Sequence, residues 1–158
     1  MLYIAYTILL VLTVGIQRTW PGWLLIRDQG PEVVVAAVVS IGLSAGPVAG
    51  CFGGLVGALL LGGVEGGWLG GTLVAYMGLG VAVGVMRGTL LAERMLVAVL
   101  VVLVAVPLVE LVRMLFSAPP SPTPWLLKTA IAAPYSAIVA VPVYAGFRAV
   151  TNLLEAEE

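Results

Sequence analysis

Few side chains in this sequence are able to do chemistry. Among its 158 residues the chain has no His, one Cys (Cys51) and one Asp (Asp28). A Ser/His/Asp or Cys/His relay cannot be assembled from that set, and a zinc or haem site would lack ligands. The inventory argues against an enzyme and against a bound metal or cofactor. Cys51 allows no internal disulfide, and its glycine-rich apolar setting reads as a small packing residue. Seven Lys and Arg stand against eight Asp and Glu, a net charge of −1. Duplex binding needs a basic face to neutralise phosphates, so a nucleic-acid footprint is excluded.

Two constellations remain. Glu110 and Arg113 sit at i,i+3 on one helix face, near the end of an apolar run. Arg113 can snorkel toward the headgroups while Glu110 stays deeper. Such a pair either neutralises itself near the interface, or lines a polar cavity or contacts a partner, with Lys128 close by across a proline-rich connector. A proton relay would need further carboxylates at depth. The second constellation is glycine. Sixteen of twenty glycines lie between Gly42 and Gly88, with Gly46, Gly50, Gly54 and Gly57 at helical spacing and Gly80, Gly84 and Gly88 repeating the pattern further on. Small-xxx-small faces let helix backbones touch, which is how helices associate where lipid is as apolar as leucine. The face serves either this chain's own helices or a helix of another protein. No GxxxxGK[ST] phosphate loop is present.

The elements that position these residues belong in a membrane. The chain is 61% hydrophobic and 9% charged, with a mean hydropathy of +1.16; a soluble domain carries roughly 25% charged residues. Between Glu32 and Arg87 the only charge is Glu65. The composition predicts an all-α integral membrane protein forming a single transmembrane domain over 1–158. Residues 2–17 lack a basic n-region and a small-x-small site, so they read as a retained first span. Residues 18–31, with Pro21, Gly22, Gly30 and Pro31, read as a loop whose apolar patch 23–26 lies at the interface.

Residues 33–61 carry no charge and contain the turn signal Ser44, Ala45, Gly46, Pro47. Proline is well placed at the first position of a helix and disfavours helical geometry in the residue before it, so Pro47 favours two short helices of about thirteen and sixteen residues. Gly62, Gly63, Glu65, Gly66 and Gly67 read as a turn, and Trp68 opens a span reaching Met86. Residues 95–116 form a fifth span, kinked or opened at Pro107. Residues 117–124, with four prolines, read as a non-helical connector. Residues 125–150 form a last span in which Pro134 and Pro142 free carbonyls for Tyr135, Ser136 or Tyr144 to satisfy. That gives six transmembrane helices, or five if Pro47 only kinks. All four tryptophans (Trp20, Trp23, Trp68, Trp125) fall at span ends, where amphipathic rings prefer the headgroups. With the N-terminus cytoplasmic, Arg87, Arg94 and Arg148 lie inside against Arg18, Arg27, Arg113 and Lys128 outside, so the positive-inside rule does not decide orientation.

The order of features resembles the rod shape-determining protein MreD family. The resemblance rests on a first span ending in Gln17, then Pro31 and Glu32 opening an apolar run, then Gly46, Pro47 and the ladder Gly50, Gly54, Gly57. A glycine-rich turn, a fourth span closed by Arg87, a fifth carrying Glu110, and a last span with Pro134, Pro142 and Arg148 complete it. Where relatives often carry an Asp after the ladder, this chain has Leu61, Gly62 and Gly63, with Glu65 a few residues on. The resemblance implies six helices in a fold similar to the substrate-binding S components of ECF-type transporters. It implies a multi-pass protein of the bacterial inner membrane with both termini cytoplasmic, acting as a non-enzymatic scaffold of the cell-elongation machinery. It also implies binding to an MreC-like single-span protein and, through it, influence on the RodA and penicillin-binding-protein synthase and on MreB. The partner-binding residues expected on this reading are Gly46, Gly50, Gly54, Gly57, Glu110 and Arg113. The competing class is a vitamin-binding S component proper. Those proteins typically show an AxxxA-type docking face on the first helix, where residues 2–17 offer only Ala5 and Gly15.

Overall fold

The computed structural model describes residues 1–25, 30–65, 69–89, 95–117 and 121–156. These form six α-helices and one 3-10 turn at Gly22–Leu24, with no strand among the described residues. The helices are α1 (Leu2–Arg18), α2 (Val33–Ala45), α3 (Pro47–Glu65), α4 (Leu69–Met86), α5 (Met95–Phe116) and α6 (Pro122–Glu155). Four of them, α3 to α6, are long and apolar enough to cross a membrane. A multi-pass membrane protein is the consistent reading. The other two are shorter, about 25 Å for α1 and about 20 Å for α2 at 1.5 Å per residue.

The shortness of α2 follows from its place. Every residue from Val33 to Leu43 is buried, and α2 packs against all five other helices. A helix that is apolar all round has no polar face to give to water and belongs inside. The five other helices enclose it, so it is shielded from lipid and need not match the bilayer thickness. Val34, Val35, Val38 and Val39 meet Tyr76 of α4, Val102 and Val106 of α5, and Tyr144 of α6 in the main core. A second cluster joins Tyr6 and Leu10 of α1 to Ile41, Ala49 and Phe147.

The chain alternates direction from helix to helix. Tyr6 in α1 bonds Thr151 in α6 at 2.7 Å, so the starts and ends of the chain share one end of the bundle, the terminal end. The Thr151 hydroxyl proton goes to the Phe147 carbonyl at 2.9 Å, which makes the Tyr6 phenol the donor of the pair. The opposite end carries the close of α1, the start of α2 and the connection from α5 to α6.

The Ser44–Pro47 signal does mark a break. Gly46 stands at φ 91°, a conformation that L side chains rarely adopt, and turns the chain between α2 and α3 in one residue. Pro47 then opens α3. Two expectations are corrected. Gly62 and Gly63 belong to α3, which runs to Glu65, because glycine lowers helix propensity without forbidding helix where neighbouring helices support it. The proline-rich connector also ends earlier than its composition suggests. Helix α6 takes Pro122, Thr123 and Pro124 into its first turn, where the N–H groups have no intrahelical acceptor and a proline forfeits nothing. Helices α5 and α6 run unbroken through Pro107, and through Pro134 and Pro142. Arg27 and Asp28, residues 66–68, Glu93 and Arg94, Pro119 and Pro120, and residues 157–158 lie outside the described residues.

Candidate functional site

The start of α2 is a buried helix end, and its sequence supplies no cap. A buried N-terminus exposes N–H donors that must find acceptors. They find them on other helices. The Val34 N–H donates to Gln17 Oε1 at 3.0 Å, from the last turn of α1. The Glu32 N–H donates to Ser136 Oγ at 2.7 Å, from the middle of α6. Ser136 in turn donates its proton to the Ala132 carbonyl at 2.6 Å, so both faces of this fully buried hydroxyl are used. It does not serve the Ala130 carbonyl that Pro134 frees, as the sequence suggested. The Tyr76 hydroxyl points to Glu32 Oε2 at 3.5 Å, a long contact from α4. Just outside, Trp20 Nε1 donates to the Tyr135 hydroxyl at 2.9 Å, the two rings meeting edge to face. Four helices are thus tied at one point.

Glu110 and Arg113 lie at the same end. Arg113 Nη1 donates to Glu110 Oε1 at 3.0 Å, with Glu110 buried and the Arg113 side chain 26% exposed. The i,i+3 pairing expected from sequence is present. Depth can be read along the helices. A β-carbon on Gly71, near the start of α4, would stand 2.9 Å from Phe116 Cβ at the end of α5. About 9 Å back along α5 is Glu110, and about 7.5 Å along α4 is Tyr76, so the pair sits level with the tied start of α2. The buried hydroxyls of Thr72 and Thr129 belong to the same end. Lys128, half-buried on α6, lies one residue before Thr129.

The glycine ladder is used inside the chain. A β-carbon on Gly50 would come within 2.8 Å of the Gly80 carbonyl carbon, and one on Gly54 within 2.8 Å of Met77 Cα. Gly84 abuts the corner at Gly46 and Pro47 in the same way. Gly42 of α2 closes a three-helix contact with Gly50 and Gly80. Members of the two glycine series recognised in the sequence therefore pack against each other, except that Gly57 and Gly88 take no part and Gly88 has open space beside it. Gly57 faces inward to Val34, Val38 and Leu10. Of the six residues expected to bind a partner, Gly50, Gly54 and Gly57 thus face this chain's own helices. Gly46 forms the α2–α3 corner, and Glu110 and Arg113 lie on α5. The described residues of α3 and α5 share no contact, so the six do not form one surface.

Sequence reasoning missed Gln17, Ser136 and Tyr76 as a group around Glu32. A signal was available: an apolar run opened by Pro31 and Glu32 without a Ser, Thr, Asp or Asn cap must be capped from elsewhere if it is buried. Among the described residues no three His, Cys, Asp or Glu side chains could hold a metal ion. The hydrogen bonds at this end join α1, α2, α4 and α6. No protein-family model, curated protein or solved structure matches the chain.

Proposed function

We propose that this protein is a non-enzymatic scaffold of the bacterial cell-elongation machinery, of the MreD kind. On this reading it crosses the inner membrane six times with both termini cytoplasmic, in an arrangement similar to the S components of ECF-type transporters. It holds an MreC-like single-span protein and through it influences the RodA and penicillin-binding-protein synthase and MreB. One observation carries the reading. Features by which the chain resembles that family fall at one end of the bundle: Gln17 and Glu32 meet at the start of α2, and Glu110 of α5 lies at the same level along the helices. Helix alternation supports an even number of crossings, since the chain's two ends share one end of the bundle. The mechanism is associative: the partly exposed Arg113, held by buried Glu110, offers a fixed charge where α5 reaches the surface.

The test is partner recovery from membranes solubilised in mild detergent. Glu110→Gln keeps the shape and deletes the charge, and Arg113→Ala removes the exposed cation. Each change is expected to weaken recovery of the single-span partner, and the double change to cost less than the sum, because the two groups act as a unit. Recovery indifferent to all three variants would show the pair to be an anchor only.

A further inference from the structure

We draw no further inference here: the strongest candidate, the apolar groove between α4 and α5 lined by Leu79, Val83, Leu100 and Ala105, carries none because nothing in the structure shows what covers it.

Discussion

One hydroxyl, that of Ser136, serves two helices, accepting from the Glu32 N–H and donating to the Ala132 carbonyl. Removing it takes the Ser136 acceptor away from a part-buried N–H at the start of α2. Ser136→Ala is therefore expected to cost about 1–3 kcal/mol, as is Gln17→Leu, which strands the Val34 N–H. Thr7→Ala is the control. Its exposed hydroxyl bonds only within its own helix, and the change should stay within about 0.5 kcal/mol. Thermal unfolding in detergent ranks the three. The charged pair should behave asymmetrically. Arg113→Ala leaves a buried carboxylate without its partner, whereas Glu110→Gln leaves a guanidinium already one quarter in contact with the surroundings. The first is expected to be the more destabilising, by about 1–3 kcal/mol after allowing for the partial exposure of Arg113. Equal midpoints for the two variants would contradict that ordering.

At the scale of elements, the decisive contacts are backbone to backbone. The α3–α4 seam at Gly50, Gly54, Gly80 and Gly84 has no room for a β-carbon, while Gly78 on the exposed side of α4 has nothing within 4 Å. Gly54→Ala should therefore destabilise by about 1–3 kcal/mol through overpacking. Gly78→Ala should be neutral or stabilise by about 0.5–1 kcal/mol through helix propensity. A chemical-unfolding midpoint that moves the same way for both would show that the seam is not tight. Much of this was legible in the sequence. The glycine series at helical spacing predicts close-packed faces, and Gly46–Pro47 predicts the break, because both are local signals of backbone geometry. The capping of α2 was not legible, since Gln17 and Ser136 are remote in sequence and their pairing depends on how α1 and α6 pack. The start of α6 was misread because proline was weighed as a helix breaker without regard to its position in the first turn. Pro107, Pro134 and Pro142 lie inside continuous helices, as expected of prolines within spans.

For the molecule as a whole, a short, uncharged and mostly apolar helix lies at the centre and longer helices surround it. Its hydropathy marked α2 as buried in either lipid or protein, and only the tertiary arrangement tells the two apart. If every helix crosses, both termini face the same compartment. With Cys51→Ala as background, single cysteines placed before Tyr3 and after Leu153 should both resist a membrane-impermeant maleimide added outside, while one within 117–121 should react. Labelling of one terminus alone would require an odd number of crossings.

The scaffold reading itself turns on what the protein holds. Purified from its native membrane in mild detergent and examined by intact-complex mass spectrometry, the wild-type chain is expected to carry a single-span wall-synthesis protein in stoichiometric amount, and the Glu110→Gln, Arg113→Ala double variant to have lost it. A chain that instead carries a tightly bound, stoichiometric vitamin-like molecule and no helical partner, unaltered by the double variant, would contradict the account and favour a small-molecule binder.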